Sequence, residues 1–463
     1  MAALRGMFKI LVVIGPPGSG KTRWCESVFA TLLKNKTPFV FLAPTAKAAG
    51  IPTLDPGDPD RTGLTVDRFV LKMKPRVRSQ GRPAMTEVAA RADLEPFVKR
   101  AQHRVVVFVD EVSMLTTSHF GHLLEALAWF RHAVIVLLGD MNQLGPVNGQ
   151  PFFVHPQFDR WLEADKVAAT VLKANHRSGQ CKALQYVIDT VASQKPTAEL
   201  KDILWGLSRK TSGPRPEYFL AHRRETCNEE NLRVASTLVD DLGPDNYSMF
   251  MTAGGEKRIP IGPGFLIEST RNVWSREQRR YTWCNHDKGV VVALIALPDK
   301  KRDNAPTFNG MHTPAFVVQL LGTNETIDVY PRRIKGRKEP VVDVAHAWAS
   351  TIHCAQGDTY KTGRVVVDWR HLSWRLMLVA FSRAASIAQL YIKNFNPDDV
   401  ADRFRTSERD AHIIEQEQKF ISKIQALDQI SAPSSTDTPP LGVKRKASGS
   451  FKHIVQKPCR KEL

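Results

Sequence analysis

Cysteine is scarce in this chain, and its scarcity removes two ways of building a protein. The six cysteines in 463 residues (Cys25, Cys181, Cys227, Cys284, Cys354, Cys459) are scattered without a CxxC pair. That leaves neither a zinc-ligand spacing nor the dense framework of a disulfide-stapled secreted fold. Reduced thiols are expected. Long apolar runs are missing as well. VVVALIAL, residues 290–297, is among the longest and falls well short of the roughly 20 residues a membrane span needs. The start of the chain has no secretory pattern, so a soluble protein is expected. Acidic residues are in deficit, with 47 Asp and Glu against 65 Lys and Arg and a net charge of +18. The isoelectric point is near 9.7. Such a balance favours a polyanionic partner, nucleic acid or an acidic membrane surface, without choosing between them.

What the chain does have is a phosphate cradle. At this length, with 42% hydrophobic residues, it can bury two or more cores. Residues 8–14, FKILVVI, read as a central parallel strand and run straight into GPPGSGKT, residues 15–22. In this loop Gly15, Gly18 and Gly20 let backbone N–H groups converge on phosphate oxygens at the start of a helix, and Pro16, Pro17 and Ser19 complete the nucleotide-binding loop. Lys21 would reach the β and γ phosphates, and Thr22 would ligate Mg²⁺. A second apolar run, VVVFV at 105–109, delivers Asp110 and Glu111 to a strand tip. Asp110 suits the metal and Glu111 suits a general base for water. A third, AVIVLL at 133–138, ends in GDMNQLGPV, residues 139–147. If it lies in the same sheet, Asp140 and Gln143 emerge on the edge that carries Asp110, and Gln143 can sense the γ phosphate.

Together these stretches resemble the superfamily 1 helicases of the RecD/Pif1-like branch, superfamily 1B. GDMNQLGPV resembles motif III, residues 105–115 motif II, FLAPTAKAA (41–49) motif Ia, and GLTVDRF (63–69) motif Ib with Asp67 where histidine is usual. LKANHRSG (172–179) resembles motif IV, AWASTIHCAQGDT (347–359) motif V, and VAFSRAAS (379–386) motif VI. The resemblance implies ATP and Mg²⁺ as cofactors, Gln143 as the link between ATP state and motion, and Arg177 and Arg383 as arginine fingers. Gln356 and Gly357 would lie at the nucleotide. Thr45, Thr65, Phe69, Thr351 and His353 would contact nucleic acid, with Trp348 as a second candidate stacking face beside Phe69. The glutamine that reads adenine upstream of the loop is missing from MAALRGMFKILVVI, so a looser nucleotide preference is expected.

The expected fold is α/β, with two RecA-like motor domains of the P-loop NTPase type. Residues 1–155 form the first, interrupted by a basic pin-like insertion near 72–103. Residues 156–260 and 341–405 form the second, split by a small SH3-like β insertion at 261–340. In that insertion NHDKGVV resembles an NGxxGxV signature with His286 in place of glycine. A helix at 406–430 precedes a tail, 431–463, whose Ser, Pro and Thr content cannot bury a core. Its VKRKA run, 443–447, suits nuclear import or a grip on phosphates.

The resemblance implies an ATP-dependent DNA helicase that moves 5′ to 3′ on single-stranded DNA, couples hydrolysis to closure of its two motor domains, and acts as a monomer at single-strand to duplex junctions. The sequence leaves the pathway open among replication, repair, recombination and viral genome copying, and the short format suits a compact viral or accessory helicase. Two alternatives stand beside it: an RNA helicase of the viral replicase type, and a nucleic-acid-binding scaffold with a spent ATPase.

Overall fold

Alternation along the first, fourth and fifth strands builds two cores at once. In the computed structural model, β1 (Met7–Ile14), β2 (Phe39–Ala43), β3 (Leu64–Thr65), β4 (Arg104–Val109), β5 (His132–Gly139) and β6 (Val167–Val171) form one sheet in the order β3-β2-β4-β5-β1-β6. Every pairing in it is parallel. Ile10, Val12, Val105, Val107, Ile135 and Leu137 face one core, and Leu11, Val13, Val106, Phe108, Val134 and Val136 face the other. A sheet buried on both faces needs such near-continuous apolar strands. Helix α1 (Lys21–Lys34) covers one face through Cys25, Phe29 and Leu32. Helix α3 (Val66–Met73), the Thr117–Leu127 helix and the Pro156–Glu163 helix cover the other.

The structure describes residues 7–50, 52, 54, 63–73, 104–128, 130, 132–146, 148–173, 181–211, 217–253, 258–274, 281–295, 314–321, 323–334, 336, 340–405 and 408–431. The chain divides into two compact units, Met1–Gln180 with Arg405–Leu463, and Cys181–Phe404. In the second unit β7 (Glu217–Ala221), β17 (Ala349–Thr351), β18 (Arg364–Asp368) and β19 (Leu390–Lys393) make a parallel sheet in the order β17-β7-β18-β19. Between β7 and β17 in the chain lies an antiparallel sheet. Its strands are β10 (Leu266–Ser269), β13 (Lys288–Leu294), β14 (Phe316–Leu320), β15 (Thr326–Val329) and β16 (Val344–His346), in the order β15-β14-β13-β10-β16. Gly289 is indispensable there, because a Cβ on it would lie 2.3 Å from Val318 Cγ1 and 2.8 Å from the Gln319 carbonyl oxygen. The architecture is α/β with two RecA-like units and an antiparallel β module in the second.

Three boundaries differ from the sequence reading. The first unit does not stop at 155, because β6 pairs with β1 from Ile10↔Val167 to Ile14↔Val171 and turns Val167 and Ala169 into the core. The helix expected at 406–430 spans Glu408–Ser431 and belongs to the first unit, where Phe420 and Ile424 enter the same core. The β insertion borrows β16, beyond 340, through its pairing with β10. The basic stretch from 74 to 103 and the tail from 432 lie outside the described residues, as does Arg177.

Candidate functional site

Three neighbouring strands, β4, β5 and β1, end at one edge of the first sheet, the carboxyl edge where α/β folds place their ligands. β1 runs into the glycine loop, and Gly15 N–H donates to the Gly139 carbonyl at the tip of β5 at 3.2 Å. Gly18 and Gly20 have φ of +78° and +84°, the left-handed region that glycine enters without steric cost. Gly15 is needed for another reason: a Cβ there would lie 2.6 Å from Ser19 Oγ and 2.8 Å from the Leu172 carbonyl oxygen. Lys21, first residue of α1, folds back over the loop and donates from Nζ to Gly15 O at 2.7 Å and Pro16 O at 3.1 Å. Ser19 Oγ is buried and meets no partner among the described residues. Thr22 follows, half-buried.

Asp110 and Asp140 stand at the tips of β4 and β5. Burial, then the charge of Glu111, pushes the Asp110 carboxyl from its ordinary 3.8 up to about 7, against the Glu111 N–H and Lys21. Burial likewise raises Asp140, opposed first by Lys21. Two desolvated carboxylates around one ammonium group, beside a loop of converging N–H groups, fit a phosphate-bound divalent cation. Glu111 has φ of +49°, which costs a residue with a side chain of order 1 kcal/mol. Its N–H donates to Asp110 Oδ1 at 2.8 Å and its carbonyl accepts from Met114. Gln143 is buried. Its Nε2 donates to Asp140 Oδ2 at 3.2 Å, while its Oε1 meets no partner among the described residues. The polar groups after β5 thus hold one another, with Asn142 N–H on Asp140 Oδ1 at 3.0 Å.

Further along the first sheet, Thr45 Oγ1 accepts from Ala48 N–H at 3.2 Å, opening helix α2 (Ala46–Gly50), and Thr65 Oγ1 accepts from Arg68 N–H at 3.2 Å, opening α3. Each hydroxyl keeps a proton it can donate. Asp67 pairs with His119 at 3.5 Å on the surface. Phe69 requires a correction. It is 0% exposed and lies in the core with Val66, Val70 and Met73, so it offers no face for a base. Positions 66, 69, 70 and 73 share one face of a helix, and that face is turned inward.

In the second unit, Thr351 ends β17 and its Oγ1 accepts from Cys354 N–H at 3.4 Å. Burial lowers the pKa of His353, helped by His222, whose ring lies 6.1 Å away. Gln356 Nε2 is buried without a partner among the described residues, and Gly357 has φ of +87°. Trp348 packs on Phe265 and His346 at ring distances of 5.3 and 5.1 Å. Arg383 is 2% exposed and donates to Val379 O, Asp358 O and Ser382 Oγ at 2.8–2.9 Å.

Sequence reasoning missed a buried network behind Arg383. Lys288 Nζ donates to the Tyr360 hydroxyl at 3.2 Å, and that hydroxyl donates to Asp358 Oδ2 at 3.1 Å. Tyr218 stacks on Tyr360 at 4.1 Å. The one signal in the sequence was a lysine at the head of an apolar strand, KGVVVAL.

Comparison with known proteins agrees with this geometry. Residues 3–149 match the AAA domain family. A comparison with curated proteins found no match. Among solved structures, Pif1 helicase from Candida albicans is 17% identical, with 91% of this chain and 99% of that chain covered and a TM-score of 0.62. A Bacteroides Pif1 bound to single-stranded DNA is 17% identical, with 90% and 94% covered and a TM-score of 0.59. A structure of two coordinating Pif1 helicases, described as unwinding forked duplex DNA, is 16% identical with the same coverage and a TM-score of 0.59. Residues 3–149 are thus similar to the AAA domain, and the chain as a whole has the fold of the Pif1 helicases.

Proposed function

We propose that the protein is an ATP-dependent DNA helicase that moves 5′ to 3′ on single-stranded DNA. The observation that carries the reading is the convergence of the glycine loop with Lys21, the Asp110–Glu111 pair and the Asp140–Gln143 pair at three adjacent strand tips. Loop N–H groups and Lys21 bind the phosphates of ATP, with Lys21 exchanging its bonds to Gly15 O and Pro16 O for phosphate oxygens. Mg²⁺, held by Thr22 and Asp110, would screen the charge on the phosphates. Glu111 orients the attacking water and accepts its proton. Gln143, with one amide atom on Asp140 and the other unpartnered, reports the γ phosphate. Arg177 would neutralise charge on the transferred phosphoryl group, and Gln356 and Gly357 adjoin the nucleotide. Arg383 does not fill the finger role here, because it is 2% exposed and donates to Val379 O, Asp358 O and Ser382 Oγ within its own unit.

Thr45, Thr65, Thr351 and His353 grip the strand by its backbone, as a motor that must cross any sequence requires. Alternating grip by two RecA-like units turns each hydrolysis into a step. Support for DNA as the track comes from the relatives of this fold described as bound to single-stranded and forked DNA. The reading includes action as a monomer in the nucleus, directed there by the 443–447 run, in replication, repair or recombination.

The test is ATP hydrolysis by the full-length protein alone, with single-stranded DNA and with single-stranded RNA. Stimulation by DNA of at least about tenfold is expected, together with loss of turnover in Lys21→Ala, whose ammonium group contributes charge stabilisation of a few kcal/mol in such sites. Equal or greater stimulation by RNA would replace DNA with RNA as the track. Turnover unchanged in Lys21→Ala would remove the assigned site.

A further inference from the structure

The second unit holds a Cys–His–Glu chain that the nucleotide chemistry does not use. His286 sits in the turn before β13 and uses both ring nitrogens. Nδ1 lies 3.2 Å from Glu268 Oε1, on β10, and Nε2 lies 3.6 Å from Cys354 Sγ, three residues past the end of β17. Glu268 is largely buried, with 13% of its side chain exposed, and its Oε2 meets no partner among the described residues. A buried carboxylate whose described contact is one imidazole favours the protonated ring. With both nitrogens then donors, the ring presents an N–H to the sulfur.

His286 has φ of +68°, at the position where the sequence signature would carry glycine. The backbone is held there because His286 N–H donates to Ser269 O at 2.8 Å and Asp287 N–H to Cys284 O at 3.0 Å. Cys354 is half-buried, and its own N–H is tied to Thr351.

We propose that Cys354 is a reactive thiolate paired with the His286 imidazolium, and that it is a reaction site for small hydroperoxides. Sulfur attacks the nearer peroxide oxygen, an S–O bond forms and the O–O bond breaks. The cysteine is oxidised by two electrons to sulfenic acid as the peroxide is reduced. The departing hydroxide takes the Nε2 proton of His286 and leaves as water (or as an alcohol from an alkyl peroxide). The direction of the charges agrees: contacts with Cys354 and Glu268 hold the His286 ring protonated up to about 10, and His286 lowers the Cys354 thiol against the effect of its burial. Other groups bearing on this cluster are Thr351, which favours the thiolate, and Cys227, which interacts with Cys354, Glu268 and Lys288. The Asn285 carboxamide, with its oxygen turned to the ring, also accepts from Nε2 at 3.2 Å. By contrast, burial pushes the Cys227 thiol up to about 12, so it serves as an internal unreactive control.

The experiment follows alkylation of the full-length protein by iodoacetamide between pH 6 and 9, resolved by peptide mass spectrometry. Hydrogen peroxide treatment with dimedone trapping runs in parallel. At pH 6.5 Cys354 should react at least about tenfold faster than Cys181 and form the dimedone adduct, and His286→Gly should slow it by about tenfold or more. Glycine suits the φ of that turn, and unchanged circular dichroism with continued protection of Cys227 would verify the fold. Should that variant fail to fold, Glu268→Gln and the wild-type pH midpoint decide the matter. A Cys354 rate no faster than Cys181, a rate indifferent to these substitutions in folded protein, or no dimedone adduct would overturn the proposal.

Discussion

At the scale of single residues, the candidate site is built on carboxylates taken out of water. The residue types and spacing of the phosphate loop were legible in the sequence because the chemistry leaves few substitutes for them. What the spacing could not convey was environment. Nothing in VDEV says that Glu111 adopts a left-handed backbone, or that Asp110 is raised to about 7. The sign of that shift sets a pH dependence. A carboxyl whose folded pKa exceeds its unfolded one stabilises the fold most below the unfolded pKa, near 3.8, and that contribution is lost as the pH climbs through about 7. A divalent cation needs the ionised form and therefore competes with the proton. The apparent affinity for Mg²⁺-nucleotide should rise between pH 6 and 7.5, by up to about tenfold per unit for one proton released, and then level off. Asp110→Asn should remove the part of this slope that the nucleotide itself does not supply. Calorimetry in buffers of different ionisation enthalpy measures the proton count, and identical slopes for the two proteins would take Asp110 out of the proposed cation site.

At the scale of elements, strong periodicity was legible and weak strands were not. β1, β4 and β5 announced themselves as apolar runs. VAATV, the β6 strand, has two alanines and a threonine, and only its parallel pairing with β1 places it in the first unit. Phe69 teaches the converse lesson: the helical spacing of Val66, Phe69, Val70 and Met73 marked an inward face, and that spacing outweighs the motif the residue sits in. The Glu408–Ser431 helix was legible as a helix, but its destination was not. Phe420, 4% exposed, stacks on Phe153 at 4.8 Å and meets Phe152 and Phe158 edge-on or tilted at 5.8 and 5.6 Å. Replacing such a buried ring by alanine removes its transfer energy and leaves a cavity, together about 3–5 kcal/mol. Phe420→Ala should therefore lower the unfolding free energy of the first unit by that amount while an exposed change on the same helix, Lys419→Ala, stays within about 0.5 kcal/mol. Chemical denaturation followed by circular dichroism checks this, and equal effects of the two changes would mean the helix is not part of that core in solution.

At the scale of the whole molecule, charge is the property the sequence states most openly and locates least. The net charge of +18 includes Lys444, Arg445, Lys446, Lys452, Lys457, Arg460 and Lys461 of the tail. Two uses of that tail differ in what salt does to them. If it touches the nucleic-acid backbone, each cation at a phosphate displaces a counterion, and binding to single strands weakens with salt by a logarithmic slope of roughly 0.7 per contact. Changing Lys444, Arg445 and Lys446 together to glutamine in the full-length protein should then flatten the slope for single-stranded DNA by up to about 2. The loss of affinity should be the same for unrelated sequences, because phosphate contacts carry no sequence information. If the run serves only as an address, the slope stays where it was and the variant instead fails to accumulate in nuclei. Fluorescence anisotropy over a salt series separates the two: an unchanged slope takes the tail out of the proposed grip on DNA, and a flattened one makes the tail part of that grip.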